Sequence, residues 1–430
     1  MAYCTKTDLR NQVIYSIYVR NYSEEGTFLE VEKDLDRIKG LGVDIIWFLP
    51  IYPIGQEKRK GILGSPYAIA DYRKVNPELG TMDDFKHLVE GIRTRGMRVM
   101  LDIVYNHTSP DSWLAKNHPE YFYKTPEGEM GNRVGDWGDI VDLDYGNKEL
   151  WDYQIDTLKM WAGIVDGFRC DVAPLVSLAF WLKAREEVAR VNPECIWLSE
   201  SVEPEFIVDM RAKGMTNLSD SEIFQAFDMC YDYDIFKYFR QYLNGEGTLG
   251  RYVEAVNMQE YIYPANYVKM RYLENHDQDR AKEIIPKESA LRNWTAFLYF
   301  QKGATLLYAG QEFENDHLPS LFEKEPIDRQ TGKDLTPLLK ALASIKRALG
   351  VPSFFRAEAD DANDIAVMQR AGDTGRFVGV FSLKDVSAEV PVPAMDGVYE
   401  NLLGGAPVTV AAGKLSCAGE PVIIRAPERD

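Results

Sequence analysis

Cysteine is scarce and unpatterned in this chain. There are five (Cys4, Cys170, Cys195, Cys230 and Cys417), an odd number with no CxxC pair. That excludes a disulfide framework and favours a reducing compartment. Long apolar runs are missing too: none approaches the roughly 20 residues that a membrane-spanning helix needs. The opening segment MAYCTKTDLRNQVIYSIYV has no basic start, apolar stretch or small-residue cleavage site. A cytoplasmic location, with no membrane partner, is therefore the expectation. Positive charge is outnumbered, 49 Lys and Arg against 67 Asp and Glu, for a formal net charge of −18. Such a balance repels nucleic acid and anionic membranes and suits a neutral substrate. HExxH, EF-hand, Walker and GxGxxG patterns are all absent, which removes support for zinc-protease, nucleotide and dinucleotide readings.

What is present is a long alternation. Among 430 residues, 45% are hydrophobic and 27% charged, enough to bury a large core. Strand-like runs alternate with helix-like ones from residue 13 to about 349, as in parallel α/β construction. VIYSIYV (13–19), VDIIWFL (43–49) and the run 97–104 read as the first three strands. The fourth and fifth end at Asp171 and Glu200. EIFQAF (222–227), VKMRYL (268–273) and ATLLYA (304–309) complete a set of eight. A helix over 82–94 is expected behind the cap-like Thr81. Residues 108–147 are rich in Gly, Pro and aromatics and too long for a structureless loop, so they read as a small inserted domain. After residue 350 the period changes to short alternating runs. The predicted fold is therefore a (β/α)8 TIM barrel (1–107 and 148–350), with the inserted domain after strand three (108–147) and a C-terminal antiparallel β-sandwich (351–430).

Four segments bring carboxylates to strand ends: DIVYNH (102–107), GFRCD (167–171), IWLSES (196–201) and ENHD (274–277). Barrel enzymes carry their chemistry at those ends. In GFRCD the alternation of a strand puts Arg169 and Asp171 on one face. The arginine would keep the carboxylate ionised with a lowered pKa, as a nucleophile requires, although a structural ion pair has the same sequence. Glu200 closes an apolar run, where desolvation raises a carboxyl pKa and keeps it protonated for acid work; a helix-start Glu is the alternative. Neighbouring strands lie about 4.8 Å apart. Asp171 and Glu200 could therefore approach the roughly 5 to 5.5 Å that retaining hydrolysis of a sugar acetal uses.

Together these segments resemble the signatures of the α-amylase superfamily, glycoside hydrolase family 13. VDLDYGN (141–147), GVDIIWFLPIYPIG and ATLLYAGQEF add to the resemblance, which spans about residues 10–350. It implies that Asp171 is the nucleophile, Glu200 the acid/base and Asp277 the residue that stabilises the transition state. It further implies that Arg169 orients Asp171, that Asp102 supports Arg169, and that His107 and His276 bind the sugar on which Tyr67 stacks. Trp137 becomes a candidate outer-subsite platform. No cofactor is required by that chemistry; a structural calcium ion is a candidate, with Asn106 as a ligand. The residues after the nucleophile, Val172-Ala173-Pro174-Leu175, depart from the Lys-His pair of many calcium-dependent members. Ala68 follows Tyr67 where members that trim single glucose units often have Asp, which favours an open cleft. The expected activity is retaining cleavage of α-1,4 bonds in maltodextrins, a neutral α-glucan substrate. A transglycosylase or α-glucosidase on the same scaffold, or a non-catalytic sugar-binding relative, are the alternatives.

Overall fold

Short, mostly apolar runs become the staves of a closed parallel barrel, and the buried cations among them, Arg169, Lys269 and Arg271, are paired to carboxylates. The computed structural model describes residues 4–135 and 137–427. Its barrel strands are β1 (Val13–Ile17), β2 (Ile45–Phe48), β3 (Arg98–Ile103), β4 (Gly167–Cys170), β5 (Ile196–Ser199), β6 (Met229–Tyr231), β7 (Lys269–Arg271) and β8 (Ala304–Tyr308). Closure is made at β1, where Ser16 lies opposite both Trp47 of β2 and Tyr308 of β8. A closed sheet has no edge to protect, and helices cover its outside, so the strands are buried along nearly their whole length.

Seven of the eight strands fall where the sequence placed them, and the sixth does not. EIFQAF begins inside a helix, Asp220–Ile223, whose Ser219 and Glu222 exchange a capping box. That reciprocal bond ties the segment to helical geometry despite its apolar alternation. The strand itself is the three-residue run Met229–Tyr231. Thr81 does cap the helix Met82–Thr94, paired with Asp84.

Between β3 and the helix Lys148–Ala162 the chain makes a small hairpin, with His107 opposite Asp142 and Thr108 opposite Val141. Behind the helix Thr336–Ala348 come two four-stranded antiparallel sheets. One joins Pro352–Asp360, Ile365–Gly372, Gly375–Ser382 and Val422–Ala426; the other joins Ser387–Pro391, Lys414–Ala418, Val408–Ala411 and Gly397–Tyr399. Period-two alternation gives the first sheet two apolar faces. Ile365, Val367, Val378, Val380 and Ile424 fill the sandwich, while Ala366, Met368, Phe377, Phe381 and Ile423 join the barrel core. Gly379 is needed there, because a Cβ would sit 2.5 Å from the Phe381 ring. Among the described residues no helix is long and apolar enough to cross a membrane. All five cysteines are free, four of them buried.

Candidate active site

Arg169 on β4 is fully buried and points into the barrel mouth, as the alternation of GFRCD requires. Its Nη1 donates to Asp102 Oδ1 at 2.9 Å and Asp171 Oδ1 at 2.9 Å. Its Nη2 lies 2.9 Å from Glu200 Oε2, an ion pair. Nε donates to the Tyr231 hydroxyl at 3.1 Å, and the rings of Trp47 and Tyr231 flank the guanidinium. One cation thus gathers the ends of β3, β4 and β5.

The electrostatics correct one expectation. Burial pushes Asp171 up to about 7, and Arg169 only opposes that rise, with Asp102 adding to it. The arginine does not lower the carboxyl below its ordinary range, because its single charge is shared among three acids. Glu200 goes higher still, to about 8, through burial against the pull of Arg169, with Asp171 reinforcing it. Its Oε2 also accepts the backbone N–H of Val172 at 2.8 Å. Val172 holds φ at 33°, left-handed backbone that a β-branched residue rarely adopts, and this turn aims its N–H at Glu200.

Across the mouth, the hydroxyl of Tyr67 lies 2.6 Å from His276 Nε2 and 3.3 Å from Asp102 Oδ2, and the Tyr67 and His276 rings stack. His276 Nε2 is 3.0 Å from Asp277 Oδ2. Burial acts to raise Asp277, but the charge and hydrogen bond of His276 outweigh it and hold the carboxyl low. His107 is pushed down to about 4 by burial, so its imidazole is neutral. Its ring lies 5.6 Å from that of Trp137.

These groups share a cavity of about 280 Å³, lined by Tyr67, His107, Trp137, Asp171, Glu200 and Asp277, with Lys60, Asp139 and Phe322 on its rim. Asp102, Arg169 and His276 are not on its wall; buried, they reach a ligand only through the groups they hold. Ala68 is 4% exposed and also off the wall, so it says nothing about how open the cleft is. Val172, Tyr231, Lys60 and Asp139 were missed by sequence reasoning. Tyr231 lies on the strand that was misplaced, and nothing in the sequence links residue 60 to residue 139.

Asn106 does not sit in a calcium-type cage. Its Nδ2 lies 3.4 Å from Asp142 Oδ1, while Asp142 Oδ2 accepts the backbone N–H of Arg133 at 2.8 Å. The Arg133 guanidinium stands 3.6 Å from the same oxygen and is held over the Tyr123 ring. Calcium takes six to eight oxygen ligands. Here N–H donors and a cation already face the carboxylate, and no cluster of three His, Cys, Asp or Glu is suited to a metal among the described residues. The residues present do not fit the ion.

A closed parallel barrel whose strand ends bring an acid, a second carboxylate and a third beside a histidine into one cleft defines the class, a (β/α)8 glycosidase. The chain belongs to the α-amylase family: the model of the alpha amylase catalytic domain matches residues 14–132 and 134–349. The bacterial alpha amylase C-terminal domain matches residues 356–424. An alpha-amylase crystal structure from Lactobacillus plantarum is 48% identical, with a TM-score of 0.95 over 97% of this chain and 99% of that one. The noncanonic maltogenic alpha-amylase AmyB from Thermotoga neapolitana is 33% identical, with a TM-score of 0.88 over 98% of this chain and all of that one. Alpha-amylase MalA of Haloarcula japonica is 27% identical over 94% of this chain, which spans 61% of that relative. An alpha-1,4-glucan:maltose-1-phosphate maltosyltransferase of Methylacidiphilum infernorum is 30% identical over 47% of this chain and 34% of its own length.

Proposed function

We propose that the protein hydrolyses α-1,4 bonds of maltodextrins with retention of configuration. The observation that carries this reading is the one guanidinium that holds Asp171 and Glu200 together in the cleft, while burial raises the proton affinity of both. Glu200, kept protonated by burial, gives its proton to the leaving glycosidic oxygen. Asp171, ion-paired to Arg169 Nη1, attacks the anomeric carbon and forms a β-glycosyl-enzyme. Glu200, now ionised, then takes a proton from water, which displaces Asp171 and restores the α-configuration. Asp277, held ionised by His276, faces the positive charge that develops on the sugar ring. Neutral His107 and the Tyr67 ring position that sugar, and Trp137 offers an aromatic surface further out.

No cofactor enters these steps. We propose that Arg133 supplies the positive charge beside Asp142 and that the protein needs no calcium. A cytoplasmic site of action accords with five free cysteines. Maltoheptaose followed by NMR and chromatography tests the reading. α-Configured oligosaccharides are expected to appear, with the rate reduced at least about 10³-fold in Asp171→Asn. Products longer than the heptamer would replace hydrolysis by glycosyl transfer. No turnover of maltoheptaose, sucrose, trehalose or isomaltose would leave a sugar-binding protein.

A further inference from the structure

We propose that the ion pair between Lys60 and Asp139 is a specificity-determining strap, closing the side of the cleft that receives the glycone end of the sugar chain. The inference rests on the hydrolase reading above. Lys60 Nζ lies 3.0 Å from Asp139 Oδ1, joining the loop after β2 to the inserted segment at the rim of the catalytic cavity. Barrel order gives the strap its direction. β2 and β8 flank β1, and β5, which carries Glu200 at its end, lies across the ring from β1. In this proposal a glycosidic oxygen at Glu200 sends the aglycone outward on the β5 side, and the glycone sugars run across the ring toward the loops that follow β2 and β8.

Those loops form a fixed wall. The N–H groups of Ile62 and Leu63 donate to Glu323 Oε1 at 2.8 Å and to the Phe322 carbonyl at 3.0 Å. Buried Arg20 clamps the same two loops, donating to the carbonyls of Gly64 at 3.0 Å and Leu321 at 3.4 Å. Gly61, at φ 64°, lets Phe322 approach so closely that a Cβ would lie 2.6 Å from the phenylalanine Cβ. Lys60 leaves this wall and reaches Asp139, beside Trp137 and Ile140, so the barrier continues into the inserted segment. Elsewhere the inserted segment meets residues 210–216 across a separate cavity of about 330 Å³, with no comparable ion pair between them among the described residues.

Lys60 is 42% exposed at its side chain and Asp139 only 7%, so the pair ties a half-exposed cation to a buried carboxylate. It acts by occupying a gap through which a longer glycone would thread. A chain then enters by its non-reducing end, and each cut releases a short product of uniform size.

Reducing-end-labelled maltoheptaose reads this directly from the products of the first turnovers. Wild type is expected to release short unlabelled products of one size. Lys60→Ala and Asp139→Asn are expected to raise the share of unlabelled products of three or more units several-fold. The double charge swap, Lys60→Asp with Asp139→Lys, is expected to return the profile toward wild type. A Lys60→Ala profile that superimposes on wild type, with circular dichroism unchanged, would overturn the strap. If wild type turns over no α-glucan at all, the hydrolase reading fails instead, and the two failures are distinct.

Discussion

Arg169 has one positive charge to share among Asp102, Asp171 and Glu200, and burial decides the rest. The folded-state proton affinities of Glu200 (about 8) and Asp171 (about 7) both lie above those of free carboxyls. Activity should therefore follow a bell, with an acid limb as Asp171 protonates and an alkaline limb as Glu200 ionises; the two limbs belong to the coupled pair. The same shifts have a stability consequence of fixed sign. Between roughly pH 4.3, the free glutamate value, and about 8, the folded protein holds a proton that the unfolded chain releases. The contribution is fully present below that window and is lost as pH rises through it. Glu200→Gln should then melt higher than wild type at pH 8 to 9, with the gap closing toward pH 4. A Tm series against pH checks it, and a gap that widens toward acid would reverse the assignment.

At the scale of elements, the parts visible in the sequence were those with a local cause. Parity along GFRCD put Arg169 and Asp171 on one face, and Thr81 announced its helix, because strand alternation and capping are written into adjacent residues. EIFQAF misled because its capping box outweighed its apolar pattern, while the strand that follows is only three residues long. Lys60 and Asp139 were illegible since they meet only when the insertion folds back over the barrel. The net pKa of Asp171 was missed for a related reason: its neighbours in sequence supply a cation, but its neighbours in space supply burial and two more acids. The insertion also carries a prediction. Asp142 is 2% exposed at its side chain and depends on Arg133 and two N–H donors. Chelator or added calcium should leave the wild-type Tm unchanged, whereas Arg133→Ala should cost about 1–3 kcal/mol by leaving a buried carboxylate underpaired. A wild-type Tm that falls with EDTA and recovers with calcium would restore the metal.

For the whole molecule, the first C-terminal sheet belongs to two cores at once. Met368 and Phe381 face the barrel helices while Val367 and Val380 face the second sheet. Cutting Met368 back to alanine should lower the stability of the barrel and sandwich together, by about 2–5 kcal/mol. Calorimetry should show one transition moving to lower temperature. Two separated transitions, only one of them shifted, would mean that the sandwich melts independently.

The shared sheet also sets a constraint on birth rather than on equilibrium. A ribosome delivers the barrel first, so the helices Leu249–Ile262 and Glu288–Phe300 emerge while the sheet that will cover them is still untranslated. For the time it takes to synthesise the roughly eighty residues that separate Phe300 from Phe381, at the usual pace of about 5–20 residues per second, Phe297 and Phe300 wait for their partner. A nascent chain with that patch exposed is a client for chaperones, and a stop codon placed near residue 350 would make the exposure permanent.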